Sequence, residues 1–318
     1  MSAQPVEAPF MLQAQAVTAG FGPTTVLHGI DLVVPRGEVT GIFGLNGAGK
    51  SVTMKVLAGV VPVRSGRVLL DGRDVTRLSA EERVRAGMAH VPQGRQVFGN
   101  LTVEENLRLG AWTLRRRDPG RYPAALDGVY DRFPILRERR TQLAGTMSGG
   151  QQAQLAVGRA LVTEPSIILI DEPSAGLSPV AVQDLFATLT EVAHTGVTML
   201  LVEQNVAFGL RLVQSVNLLQ VGRVVHSGPV SSLDAATLAS RLGVGSLLSA
   251  GVGASLAART TATRKTVAPK AAPKPPAKKA VPKKAVPKKA VPKKAAPKKA
   301  APKKAAPKKA APTRPDRA

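Results

Sequence analysis

Gly44-Leu45-Asn46-Gly47-Ala48-Gly49-Lys50-Ser51 matches G-x-x-x-x-G-K-[ST], the loop that cradles phosphate. Its glycines let the backbone curl so that successive N–H groups point at one anion. A helix opening behind the loop adds the positive end of its dipole. Lys50 is placed to reach the outer phosphates, and the Ser51 hydroxyl to bind Mg²⁺. The flanks agree: residues 39–43 read as a buried strand and residues 52–57 as the start of a helix. Lys50 and Lys55 are the only lysines before Lys265, which sets the loop apart by composition as well.

Outward from the loop, the 318 residues divide by charge. Residues 259–318 hold 21 Lys and Arg against one acid, so residues 1–258 carry only about +3 of the formal +23. The high isoelectric point belongs to the tail. A front part of about 245 residues is long enough to bury most of its apolar surface. With no cysteine, disulfides and thiolate metal sites are excluded. No basic segment followed by an apolar run opens the chain, so no secretory signal is expected. No apolar stretch approaches the roughly 20 residues that span a bilayer.

Apolar patterning predicts strands over 11–18, 30–34, 39–43, 67–70, 88–91, 167–170 and 197–202, and a hairpin of 216–221 with 223–226 around Gly222. Ser65-Gly66 and Asp71-Gly72 read as turns. Ser79-Ala80-Glu81-Glu82 and Thr102-Val103-Glu104-Glu105 fit the capping box and predict helix starts. Residues 102–140 are helical and Arg-rich, with Pro119, Pro123 and Pro134 expected to break the pattern. Further helices are expected over 149–162, 179–192 and 231–242. Strands alternating with helices argue for an α/β fold with a parallel sheet, carrying an inserted helical lobe.

Two further stretches carry chemistry. Asp171-Glu172 ends the apolar run 167–170, and a carboxylate at a strand tip beside a phosphate loop suits Mg²⁺. The second acid can polarise an attacking water. Met147-Ser148-Gly149-Gly150-Gln151-Gln152 opens a helix with two glycines, a second anion-gripping helix start. With these residues the chain resembles the ATPase subunits of ABC transporters over about residues 12–243. Their signature is L-S-G-G-Q; here Met147 replaces its first residue and Ala153 stands where a long polar residue is commoner.

The resemblance implies a RecA-like P-loop core with an N-terminal antiparallel β subdomain and an α-helical subdomain over about 95–160, all within a domain of residues 11–245. Residues 1–10 then form a disordered leader and 246–318 a disordered basic tail. It implies ATP and Mg²⁺ as cofactors. The ATP contacts would be Phe21 (stacking on adenine), Val26, residues 44–51 as quoted, Val52 and the Q-loop residue Gln93. Ser51, Gln93 and Asp171 would serve the metal, and Glu172 the water. Ser174-Ala175-Gly176-Leu177-Ser178-Pro179 matches the D-loop, with Ser178 where Asp is commoner. Gln204 occupies the position of a histidine that contacts the γ-phosphate, and a glutamine amide cannot become cationic. None of His28, His90, His194 or His226 fills that slot, and all four read as ordinary surface or packing residues.

Val202-Glu203-Gln204-Asn205, His90-Val91-Pro92-Gln93-Gly94-Arg95 and Leu101-Thr102-Val103-Glu104-Glu105-Asn106-Leu107 resemble one ATPase of branched-chain amino-acid importers; urea importers use similar ATPases. The resemblance implies a head-to-tail dimer with a second ATPase subunit, expected to be a heterodimer. Ser148-Gly149-Gly150-Gln151 of one subunit would close over the ATP of the other. Permease subunits and a separate substrate-binding protein would complete the assembly at the cytoplasmic face of the membrane. A soluble ABC-type ATPase acting on nucleic acid is the alternative, disfavoured by a single P-loop and a single signature.

From residue 281 the tail repeats V/A-P-K-K-A. Proline in a helix interior costs about 3 kcal/mol, and one falls in every repeat. A disordered segment with polyproline-II character follows. Three readings stand: a tolerated solvated extension, a tether to anionic lipid, or sequence-blind nucleic-acid binding.

Overall fold

The computed structural model describes residues 10–233. Within them lie two sheets. Strands β1 (Phe10–Phe21), β2 (Thr24–Pro35), β4 (Val63–Leu70) and β5 (Arg73–Asp74) form an antiparallel sheet in the order β2-β1-β4-β5. Strands β3 (Val39–Phe43), β6 (Met88–Val91), β7 (Ile167–Asp171), β8 (Thr198–Val202), β9 (Ser215–Gln220) and β10 (Arg223–Pro229) form the second, in the order β10-β9-β3-β8-β7-β6. All its pairings are parallel except that of β10 with β9.

Alternation of side chains across the second sheet explains its unbroken apolar runs. Ile168, Ile170, Met199 and Leu201 pack into one core, while Ile167, Leu169, Leu200 and Val202 pack into another on the opposite face. The second core also takes the antiparallel sheet and helix α1 (Lys50–Leu57). The first takes the helical lobe: α3 (Val103–Gly110), α4 (Trp112–Arg117), α5 (Tyr122–Arg132), α6 (Pro134–Glu138) and α7 (Gly149–Leu161), with α8 (Pro179–His194) and α9 (Val206–Leu212) beside it.

Both predicted capping boxes form. Ser79 caps α2 (Ala80–Arg85) with Glu82 reaching back, and Thr102 with Glu105 does the same for α3. Pro123 and Pro134 start α5 and α6 rather than breaking a longer helix, because the missing N–H of a first-turn proline is an orphan anyway. Ser65-Gly66 is not a turn. It lies inside β4, where the pairing with β1 shifts register between Gln15 and Thr18. Strand β1 runs from Phe10 through Phe21, past both ends of the strand expected over 11–18, and only Gly22-Pro23 separate it from β2. Residues 230–232 form a 3-10 turn, and the rest of the helix expected over 231–242 lies outside the described residues, as does the tail.

Arg83 was not singled out by sequence, yet it is 2% exposed. Its guanidinium donates to the carbonyls of Val56 (2.8 Å) and Leu57 (2.6 Å) at the end of α1, and to Thr76 (3.0 Å) and Leu78 (3.2 Å). A cation at the C-terminal end of α1 satisfies orphan carbonyls and complements the dipole. Burial pushes its pKa down from the usual value. This holds the helix behind the phosphate loop against the segment leading into α2.

Candidate functional site

The loop of residues 44–51 leaves the tip of β3 and enters α1 through Gly49, whose φ of 104° is in the glycine-favouring region. A Cβ at Gly44 would sit 2.2 Å from the Leu219 carbonyl, so only glycine lets the loop pass under β9. Lys50 is buried, and its Nζ donates to the Gly44 (2.9 Å) and Leu45 (3.1 Å) carbonyls. The ammonium is thereby held inside the curl of the loop.

The loop is also fixed from the far hairpin. Val221 and Gly222, between β9 and β10, both have positive φ, the backbone twist that suits a two-residue hairpin. Gly222 N donates to the Ala48 carbonyl (2.9 Å), and its own carbonyl accepts from His28 N (2.9 Å). A Cβ at Gly222 would lie 1.8 Å from the Val26 carbonyl. Gly222→Ala is therefore expected to lower stability by roughly 2 to 3 kcal/mol through backbone displacement. Denaturant unfolding reads the loss directly, and a midpoint equal to the parent's would overturn it.

At the ends of β7 and β8 the acidic and amide groups converge. Asp171 and Glu172 are both buried. The Ser51 hydroxyl donates to Asp171 Oδ1 at 3.4 Å. Burial, and then the neighbouring Glu172 charge, push the Asp171 carboxyl up to about 6, against the opposing pull of Ser51, Lys55 and Lys50. Glu172 sits at φ 46°, an uncommon backbone for a non-glycine, with its N–H donating to the Val202 carbonyl at 2.9 Å. Its Oε2 accepts from Gln93 Nε2 (2.6 Å) and Gln204 Nε2 (2.8 Å). Two amides carried by two separate loops thus meet on one carboxylate oxygen.

An open cleft of about 430 Å³ is lined by Val26, the loop residues Asn46, Gly47, Gly49, Lys50 and Ser51, then Val52, Gln93, Glu172 and Gln204. Thus residues far apart in sequence share one concavity. Phe21 is not among its walls; it stands half-exposed at the end of β1. Leu45 is exposed as well. None of the four histidines lines the cleft. Burial, with the Lys55 charge adding, pushes His90 down to about 4, so its imidazole stays neutral.

The signature lies elsewhere on the surface. Ser148 caps α7: its Oγ accepts from Gln151 N (3.3 Å), while its own N–H donates to Gln151 Oε1 (3.1 Å). This is a third capping box, closed by a glutamine in place of the glutamate of the other two. Ser148 is exposed, and Gly149, Gly150 and Gln151 are partly so; none of them touches the cleft. Sequence reasoning also missed Arg95. Its Nη2 donates to the Ala175 (3.1 Å) and Gly176 (3.2 Å) carbonyls of the D-loop stretch.

Mg²⁺ fits this donor set. Ser51 and Asp171 present a hydroxyl and a carboxylate side by side, hard oxygen donors of the kind this cation takes, with the buried Glu172 carboxylate next to them.

A phosphate loop between strand and helix, a buried acidic pair at the tip of β7 and an open cleft define a P-loop nucleoside triphosphatase. A family model described as "ABC transporter" matches residues 27–175. The high-affinity branched-chain amino acid transport ATP-binding protein BraG of Pseudomonas aeruginosa is 40% identical over 215 residues, 68% of this chain and 91% of its own. The probable branched-chain amino acid transport ATP-binding protein LivF of Archaeoglobus fulgidus is 37% identical, covering 70% and 94%. The solved ADP conformation of an ABC-transporter ATP-binding cassette superposes with a TM-score of 0.63 at 27% identity, over 70% of this chain and 92% of that one. The chain belongs to the ATP-binding subunits of the ABC transporter family, and it is an ATP hydrolase of that type.

Proposed function

We propose that this subunit powers an importer for branched-chain amino acids, at the cytoplasmic face of the membrane and through separate permease subunits. The observation that carries the reading is the cleft, in which Lys50, Ser51, Glu172, Gln93 and Gln204 converge. The cargo class rests on the two relatives named above. Urea import and anchoring to nucleic acid keep only the support of the sequence motifs and the basic tail.

In the proposed reaction, ATP phosphates lie on the N–H groups of residues 44–51, with Lys50 turning from the loop carbonyls toward them. Phe21, exposed at the strand end, and Val26 would meet the base. Ser51 and Asp171, with Gln93, would hold Mg²⁺, which when bound neutralises charge on the phosphates. Glu172 Oε2 is held by Gln93 and Gln204, and Oε1 takes no protein donor among the described residues. That oxygen is the one we assign to the attacking water's proton. Gln204 adds a neutral donor but no proton carrier, and none of this chain's histidines lines the cleft.

The exposed signature helix start faces outward, as closure over a second subunit's ATP requires, and we read that second subunit as a different ATPase. A groove of about 500 Å³ beside the Gln93 loop, lined by residues including Phe98, Leu109 and Trp112, is the surface we assign to the permease. These three side chains are each about half exposed. No helix among the described residues is long and apolar enough to cross a membrane, so membrane contact falls to partners and to the tail. For the tail we favour anionic lipid, since each lysine near such a surface gains about 1 kcal/mol.

Affinity purification of the full chain and of a chain ending at residue 263 tests both statements. Integral membrane subunits and a branched-chain amino-acid-binding protein should accompany both. Only the full chain should bind vesicles of one-third phosphatidylserine at low salt. Nucleic acid in place of permease would overturn the importer reading, and equal vesicle binding would overturn the tether.

A further inference from the structure

Glu203 is 1% exposed and lies between Val202 at the end of β8 and Gln204 in the cleft. Its carboxylate is not one of the groups that meet at Glu172 Oε2. Both of its carboxylate oxygens accept backbone N–H groups. Oε1 takes Ser174 N at 3.0 Å, and Oε2 takes Asn205 N at 3.1 Å. Ser174 opens the D-loop stretch, which Arg95 grips through the carbonyls of the next two residues, Ala175 and Gly176. Asn205 follows Gln204, and its own side chain accepts from Phe208 N to cap α9.

We infer that Glu203 is a positioning residue that fastens the Gln204 loop to the D-loop, so that the two move as one piece and Gln204 stays on Glu172. A carboxylate suits the task. It offers two acceptors and no donor, and a buried N–H left without a partner is costly. A charged acceptor also makes the stronger kind of bond. The chain of contacts runs from Ser174, through Glu203 and the Asn205 backbone, to the Gln204 amide and the Glu172 carboxylate. The D-loop start is thereby tied to the Glu172 of its own subunit. The inference rests on the reading of Glu172 as the group that activates water.

The test is steady-state ATP hydrolysis by the intact subunit, with thermal unfolding alongside. Glu203→Gln keeps the shape but sets an NH2 against one of the two backbone N–H groups, and Glu203→Ala removes both acceptors. Displacement of a reacting group by even a fraction of an ångström is expected to lower kcat by about threefold for Glu203→Gln and on the order of tenfold or more for Glu203→Ala, with KM for ATP within about twofold. In a Gln204→Ala background the Glu203→Gln effect on kcat should shrink to near nothing, since both act through the same amide. A merely structural glutamate would lower the unfolding temperature while leaving kcat per folded molecule unchanged, and that result overturns the inference. So do effects that multiply in the double variant. If Glu203→Ala fails to fold, the isosteric Glu203→Gln and its double variant carry the test. Failure of the underlying reading appears separately, as undiminished turnover in Glu172→Gln.

Discussion

Glu172→Gln should bind ATP as the parent does and hydrolyse it about 10² to 10⁴ times more slowly, the range over which a positioned general base contributes. The substitution is nearly isosteric, so the buried volume at the ends of β7 and β8 is kept. Its carbonyl oxygen can still accept from Gln93 or Gln204, which now donate 2.6 and 2.8 Å bonds to Oε2. What it cannot do is take a proton from water. Equilibrium titration with a fluorescent ATP analogue should give an unchanged Kd, and single-turnover hydrolysis should show the loss in the chemical step. Turnover equal to the parent's would remove Glu172 from that role and leave Asp171, raised to about 6 by burial and by Glu172, as the remaining acid of the pair.

Lys50→Ala should act on the other half of the cycle. The Lys50 ammonium is buried within the loop and held by two carbonyls at 2.9 and 3.1 Å, so phosphate oxygens can replace those partners without new desolvation of the charge. A hydrogen bond to a charged group contributes about 1.5 to 3 kcal/mol, which converts to a roughly 10- to 100-fold weaker Kd for ATP. Lys50→Arg is not expected to restore affinity, because a planar fork does not fit a pocket shaped for a compact ammonium. Calorimetric titration distinguishes the cases. An alanine variant whose Kd stays within about threefold of the parent's would show that the loop N–H groups alone hold the phosphates. The fold should survive both changes, since neither side chain joins the two apolar cores.

Much of this molecule is legible in one dimension because its decisive signals are local. The phosphate loop declares itself by glycine and lysine spacing. Apolar runs at 167–170 and 197–202 declare strands buried on both faces, and the strands they become, β7 and β8, are buried at every residue. Two capping boxes marked α2 and α3, because a cap is a contact between residues three apart. The errors were equally physical. In sequence Pro123 and Pro134 look like breakers, yet they initiate helices, since the sequence does not say which turn of a helix a proline occupies. Gly66 looks like a turn, yet it lies where the register of β4 against β1 shifts.

What the sequence determined by itself is the class of chemistry: a phosphate-gripping loop, an acidic pair at a strand tip and an amide where a histidine is commoner. The tertiary structure alone decided how these act together. Gln93 and Gln204, 111 residues apart, meet on a single oxygen of Glu172 only because β6, β7 and β8 lie side by side in parallel register. Gly222 steadies Ala48 because the β9–β10 hairpin passes beside the loop, and Glu203 reaches Ser174 across the sheet end. Such contacts follow from strand order, and strand order is set by the burial of two apolar faces at once, which no single stretch of the chain records.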